Sequence, residues 1–193
     1  MTKFSGRLVL VVGPSGAGKD SIIDGARAWF SEDAGIVFQR RVITRTVTAG
    51  TEDHDTLTVD GFMAADRRGD FALSWQAHGL WYGVPIAVEQ EMAAGRTVIV
   101  NVSRTVIDTT SARYKDTQII SITASPETIA KRLAARGRET AEEIRSRLER
   151  TVDVPLSGTN RWVLENNGTL QDAIDRFVEI VEIVRAGCPS AGR

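Results

Sequence analysis

Apolar and polar positions alternate along this chain in two rhythms. Residues 8–12 read LVLVV, an unbroken apolar run of the kind that forms a strand buried on both faces. Beyond the glycine-rich stretch that follows, DSIIDGARAWF (20–30) spaces Ile22, Ile23, Ala26 and Phe30 as one face of a helix. The same succession returns after residue 84. A helix is expected from Pro85 to Ala94, with the proline in its first turn and Gly95 closing it. TVIVNV (97–102) reads as a second buried strand, with a helix over 104–113 behind it. TQIISIT (117–123) is a third strand, and SPETIAKRLAARG (125–137) a helix capped by Ser125 with Pro126 at its first position. A helix over 140–152, the strand RWVLE (161–165) and an amphipathic helix over 169–185 complete the pattern. Strands alternating with helices predict an α/β fold, a parallel sheet with helices on both faces.

Residues 37–84 break this order. VFQRRVITRTVT and FALSWQAHGLWYG are β-like, and GTEDHDTLTVDG between them reads as a loop. The expectation is one domain, with its core in residues 1–36 and 85–193 and a small, partly β insertion between them. Within that insertion GLWYG (79–83) reads as a turn that presents Tyr82 between glycines.

Composition narrows the class. The 193 residues are 42% hydrophobic and 25% charged, with a formal net charge of −1, so there is no global basic field to attract nucleic acid or a membrane surface. The lone Cys188, in a Gly/Pro/Ser-rich tail, excludes an internal disulfide framework and suits a reducing compartment. MTKFSGR lacks a secretory apolar region, and the run after it ends at Gly13, so a cytoplasmic protein is expected. Nothing in the sequence decides between a monomer and a homodimer.

The sharpest chemical signal is GPSGAGKDS (13–21). It follows a buried strand, opens a helix and nearly spells the phosphate-binding loop G-x-x-x-x-G-K-[ST]. Backbone N–H groups of Gly13, Pro14–Ser15–Gly16–Ala17 and Gly18 (the proline excepted) can wrap phosphate oxygens, and Lys19 sits where the helix dipole already favours anions. The chain is therefore expected to bind a nucleoside triphosphate. Asp20 stands where the pattern has a hydroxyl, with Ser21 next to it. Arg40, Arg41 and Arg45 cluster in the insertion, and a strand RRVITR would turn Arg41 and Arg45 to one face, where guanidinium forks suit a phosphate-bearing acceptor. Solvated surface charge has the same pattern. Likewise the segment 131–150 reads either as an exposed helical pair with ion pairs such as Glu143–Arg147 or as an arginine-rich lid over transferring phosphates.

These motifs together resemble the guanylate-kinase-like branch of the P-loop kinases. GPSGAGK is similar to its phosphate loop and ITR (43–45) to its acceptor strand. HGLWYG (78–83) resembles its acceptor turn, RLAARGRETAEEIRSRL (132–148) its lid and NNGTLQDAI (166–174) its adenine-side loop and last helix. The departures are as informative. Leu73 stands where guanylate kinases read guanine with a glutamate, Val84 replaces the hydroxyl after the acceptor turn, Thr48 replaces a second acceptor arginine and Leu57 a tyrosine. A buried base edge needs hydrogen-bond partners that Leu and Val do not provide. GKDS, RxITR with the downstream His54, LSW…GLWYGV, VNVSR and RGRE instead resemble the ribose 1,5-bisphosphate phosphokinase family, PhnN type, of phosphonate catabolism.

That resemblance implies transfer of the γ-phosphoryl group of Mg·ATP to the 1-phosphate of ribose 1,5-bisphosphate, giving 5-phosphoribosyl diphosphate. It implies ATP on Gly13 to Ser21 with Arg132 and Asn166, and the acceptor on Arg41, Arg45 and Tyr82, joined by His54 and Arg104. Lys19, Arg45, Arg136 and Arg147 would be catalytic, with Arg132 and Arg138 as alternatives to the last two. Guanylate kinases carry acids at the end of the strand before helix 104–113, whereas this chain has Asn101 and Ser103 there. Asp20 is accordingly expected to serve Mg²⁺, or else simply to complement a helix N-terminus. Alternatives are a nucleoside monophosphate kinase and a non-catalytic guanylate-kinase-like binding module. Leu73 and Val84 speak against the first, the intact phosphate loop against the second.

Overall fold

A computed structural model describes residues 4–45, 54–136 and 160–187. The strands are β1 (Arg7–Val12), β2 (Ile36–Phe38), β3 (Arg41–Ile43), β4 (His54–Thr56), β5 (Phe71–Ala77), β6 (Leu80–Pro85), β7 (Thr97–Asn101), β8 (Gln118–Thr123) and β9 (Arg161–Glu165). The helices are α1 (Lys19–Trp29), α2 (Val59–Arg68), α3 (Ala87–Ala93), α4 (Ile107–Arg113), α5 (Pro126–Arg136) and α6 (Leu170–Ala186), and a 3₁₀ turn (Arg104–Val106) leads into α4. One sheet runs in the order β2-β7-β1-β8-β9, the other β4-β3-β6-β5. Among the described residues, no helix is long and apolar enough to cross a membrane.

The chain divides into two compact units at a boundary inside β1. One unit holds β1 through Leu10 together with Ser31–Thr117. Here β2 pairs in parallel with β7, and the expected insertion forms the four-stranded sheet. In that sheet β3 is parallel to β4 and antiparallel to β6, which in turn is antiparallel to β5. Three local expectations are corrected here. The loop expected between the β-like runs contains β4 and the start of α2, a helix capped by the Thr58 hydroxyl, which accepts from Gly61 N–H at 3.1 Å, and closed by Gly69 at φ 80°. Phe62 on α2 is fully buried and stacks on Phe71 at 4.6 Å, so tertiary contact supports a helix that local polarity hides. Of GLWYG, LWYG (80–83) is strand rather than turn, because the reversal falls at His78 and Gly79, both with positive φ (51° and 74°). Pro85 ends β6, and α3 starts only at Ala87.

The other unit holds Val11–Phe30 and the chain from Gln118 onward. Its β8 and β9 are parallel, in register from Ile119↔Arg161 to Thr123↔Glu165. α1 lies against α6 so closely that a Cβ on Gly25 would come within 2.2 Å of Ile174 Cδ1, which explains a glycine in mid-helix despite its low helix propensity. α6 is anchored by a reciprocal capping box between Thr169 and Asp172, and buries Ile174, Phe177, Val178, Ile180, Val181 and Val184. The helix expected over 140–152 lies outside the described residues.

Candidate active site

The glycine-rich loop is built where β1 runs out. Residues 13–18 turn back on themselves, Ala17 N–H reaching the Pro14 carbonyl at 3.3 Å, and Gly18 enters α1 as its N-cap at φ 93°. A side chain at Gly18 would meet Asn166 Nδ2 at 2.4 Å, so both its backbone angle and its neighbour require glycine. Lys19 Nζ donates to the carbonyls of Gly13 (2.9 Å) and Pro14 (3.0 Å), which holds the ammonium against the loop it closes. Asp20 lies half-buried in the first turn of α1 and Ser21 is exposed beside it.

The loop is braced from behind. Asn166, only 2% exposed, donates from Nδ2 to the Ala17 carbonyl at 2.8 Å and accepts from Arg132 Nη2 at 3.3 Å on Oδ1. Arg132 Nη1 reaches the same carbonyl at 3.4 Å. Asn166 is itself held by its backbone N–H on Thr123 O at 2.7 Å, and α5 packs Ile129 and Leu133 into a small core of their own. Two residues expected to serve ATP, Arg132 and Asn166, thus come together on the loop, and Asn166 reaches its backbone rather than open solvent.

The acceptor candidates lie on the four-stranded sheet of the other unit. The cross-strand register pairs Ile43 with Tyr82 and Tyr82 with Trp75, and two residues along it pairs Leu73 with Val84. Side chains two apart share a face, so Arg41, Tyr82, Trp75, Leu73 and Val84 project to the same side. Tyr82 and Trp75 stack at 5.3 Å and 8° between planes, and the Arg41 guanidinium lies 5.8 Å from the Tyr82 ring centre. Leu73 is 7% exposed and Val84 not at all, so no polar group is left unsatisfied at these two positions.

Arg41 and His54 are partners in the parallel register, and His54 is buried. Arg40 points elsewhere. It donates to the His54 carbonyl and pairs with Asp55, both at 3.0 Å, tying β4 to β3. β3 stops at Ile43, so the alternation that would align Arg45 with Arg41 does not extend to Arg45. Instead Thr44 closes the strand, its N–H on the Trp81 carbonyl at 3.1 Å and its hydroxyl accepting from Trp81 N–H at 2.9 Å, and leaves Arg45 exposed just beyond. Arg104 is half-buried at the start of the 3₁₀ turn that Ser103 caps. Arg138, Arg147, Thr48, Cys188 and the segment 137–150 lie outside the described residues, as does the side chain of Arg136.

No family model matches the sequence. Individual relatives do. The chain is 46% identical over 173 residues to the ribose 1,5-bisphosphate phosphokinase PhnN of Brucella melitensis, covering 90% of each protein. To the enzyme of the same name from Rhodopseudomonas palustris it is 44% identical over 188 residues, covering 95% of this chain and 91% of that one. The chain belongs to the PhnN family. Its fold is that of guanylate kinase: a crystal structure from Anaplasma phagocytophilum superposes with a TM-score of 0.65 at 19% identity, over 100% of this chain and 90% of that one. PhnN sequences and a guanylate-kinase frame meet in one residue pattern here. The glycine loop before α1 is present, and the four-stranded sheet carries Leu73 and Val84 two residues along from the Trp75–Tyr82 stack.

Trp75 enters the sequence pattern only as part of LSW, with no role of its own. The available signal was its spacing: Trp75 and Tyr82 flank the His78–Gly79 reversal symmetrically, which predicts a cross-strand pair in a two-residue hairpin.

Proposed function

We propose that this protein transfers the γ-phosphoryl group of ATP to the 1-phosphate of ribose 1,5-bisphosphate, releasing ADP and 5-phosphoribosyl diphosphate. The observation that carries the reading is the Leu73–Val84 pair, an apolar patch on the same sheet face as Arg41 and Tyr82. A purine edge in that position would lose its hydrogen-bond partners, whereas an acceptor without a base loses nothing there.

The loop suits a nucleoside triphosphate by its own chemistry: a glycine-permitted cradle at a helix N-terminus, a lysine on the loop and a half-buried carboxylate in the first helical turn. Lys19 and the loop N–H groups hold the donor phosphates, and Arg132 adds a cation beside Ala17. Asp20 is the residue that would hold Mg²⁺, which would supply neutralisation of the donor's phosphate charge. Among the described residues there is no cluster of three His, Cys, Asp or Glu side chains that could hold a metal ion.

On the acceptor side, Arg41, Arg45 and Tyr82 bind phosphate oxygens, and His54 and Arg104 serve the second phosphate. The attacking oxygen belongs to a phosphate already ionised near neutral pH. It forms a bond to the γ-phosphorus as the bond to the β–γ bridging oxygen breaks, and no protein base has to remove a proton. Catalysis consists of positioning and electrostatics. A lone cysteine suits a reducing cytoplasm as the place of this reaction.

The test is ADP release from Mg·ATP with ribose 1,5-bisphosphate or GMP as acceptor. Turnover with the sugar and formation of 5-phosphoribosyl diphosphate are expected. Turnover with GMP alone refutes the reading of Leu73 and Val84.

A further inference from the structure

Tyr82 does not stand alone on the acceptor sheet. β6 lies between β3 and β5, so Arg41 and Trp75 approach the phenol ring from opposite sides, the guanidinium at 5.8 Å and the indole nearly parallel at 5.3 Å. Trp75 is buried at 8% exposure, whereas Tyr82 and Arg41 are only half-buried, which places the indole as the covered layer of a three-member stack. We propose that Trp75 is a positioning residue for the acceptor phosphate: it holds the plane of Tyr82, and the Tyr82 ring in turn holds the Arg41 guanidinium for the anion it receives.

The physical reason lies in what arginine needs in order to be selective. A guanidinium binds phosphate bidentately only when its plane is fixed, and a long side chain otherwise loses rotamer freedom on binding. An aromatic face beneath it restricts the plane without consuming any N–H donor. Tyr82 can do this only if its own ring is prevented from turning. A stacked partner across the strand pair does so, and stacked pairs and cation–π contacts each change an equilibrium by a few-fold to about tenfold. Trp75 therefore acts through another residue and need not touch substrate.

This inference rests on the acceptor assignment above, and its test separates the two. Trp75→Phe, Trp75→Leu and Trp75→Met are compared with the native protein in steady-state kinetics, with Mg·ATP and the acceptor varied in turn, and each variant is checked for cooperative unfolding. The acceptor is whichever of ribose 1,5-bisphosphate and GMP the native protein phosphorylates, since both carry the phosphate that Arg41 would receive. Phe keeps a ring for Tyr82 to stack on and is expected within about threefold of native. Leu and Met fill the space without a ring and are expected to raise the acceptor KM about tenfold, with the ATP KM unchanged. In a Tyr82→Leu background the Trp75→Leu loss should vanish, because the residue it acts through is gone.

Equal losses for ATP and acceptor, or a Trp75→Leu loss that persists in full without Tyr82, would overturn the stack as a positioning device and leave the acceptor assignment standing. If Trp75→Leu fails to fold, Trp75→Met takes its place in both comparisons. A native protein that phosphorylates neither acceptor overturns both.

Discussion

Asn166 is the cleanest place to perturb the donor site without touching a phosphate-binding atom. It is buried, and its amide donates to the Ala17 carbonyl at 2.8 Å, in the middle of the phosphate loop. Asn166→Asp keeps shape and volume but puts an acceptor where the donor was. The Ala17 carbonyl then keeps only the 3.4 Å contact from Arg132, at the long end of hydrogen-bond range. Leaving a buried carbonyl poorly satisfied costs about 1–3 kcal/mol, and the repulsion of two facing oxygens is partly offset by Arg132, which already donates to this side chain. Taking about 2 kcal/mol, a chain of this size should lose roughly 4–8 °C in melting temperature.

On the proposed reading the disturbed backbone holds the donor phosphates, so ATP binding should weaken as well. The melting-temperature gap between variant and native should therefore widen when saturating Mg·ATP is added, since ligand stabilises in proportion to its affinity. Differential scanning fluorimetry with and without Mg·ATP reads both effects, and the acceptor KM serves as the control that should not move. A variant within about 1 °C of native in both conditions would refute the claim that Asn166 braces the loop.

Further outcomes follow from the same geometry. Asp20→Ala should raise the Mg²⁺ concentration needed for half-maximal turnover several-fold and leave the melting temperature close to native; an unchanged Mg²⁺ profile means the carboxylate only complements the helix dipole. Arg41→Ala should raise the acceptor KM about 10- to 100-fold without changing the ATP KM, measured with each substrate varied in turn. Tyr114, packed beside α4 with its hydroxyl on Glu89 at 2.6 Å, has its pKa raised above the ordinary tyrosine range, chiefly by burial and next by that hydrogen bond. The folded state then holds the phenol proton more tightly than the unfolded state, so this contribution to stability is complete below about pH 10 and is lost as pH rises beyond it. Tyr114→Phe should flatten the alkaline fall of the unfolding free energy relative to native, as measured by urea denaturation on either side of pH 10.

The strand, glycine loop and helix around Lys19 were legible because their signals are local. An apolar strand, a glycine loop, Lys19 and a helix follow one another without interruption, and each demands the next for a physical reason. Helix α2 was not legible, because Asp60 and Gly61 open it like a loop and its support comes from Phe71, outside the helix. Its end signals were nevertheless present, with Thr58 before the helix and Gly69 after it. Pro85 misled for a related reason: proline suits the first turn of a helix and the end of a strand equally well, and the pairing of Phe71 with Pro85 decides between them. The brace on Ala17 could not be read from spacing at all. It joins residues 149 positions apart and depends on β8 and β9 lying in parallel register.

Under the proposed function, the pairing of strands gives a reason why one frame would serve acceptors with and without a base. On β5 and β6 the positions that differ from the guanylate kinase pattern, Leu73 and Val84, are directly opposite each other. Changing one alone would strand a polar group against an apolar partner in a buried row, at about 1–3 kcal/mol. Changing both removes the polar row without a packing defect, and the neighbouring Trp75–Tyr82 row, two residues along, is unaffected. On the proposed reading, the positions where a base would be read, Leu73 and Val84, and the Trp75–Tyr82 stack occupy separate rows of the same hairpin. An apolar pair at 73 and 84 leaves that stack intact, which is what the proposed phosphate-to-phosphate transfer to an acceptor without a base would require.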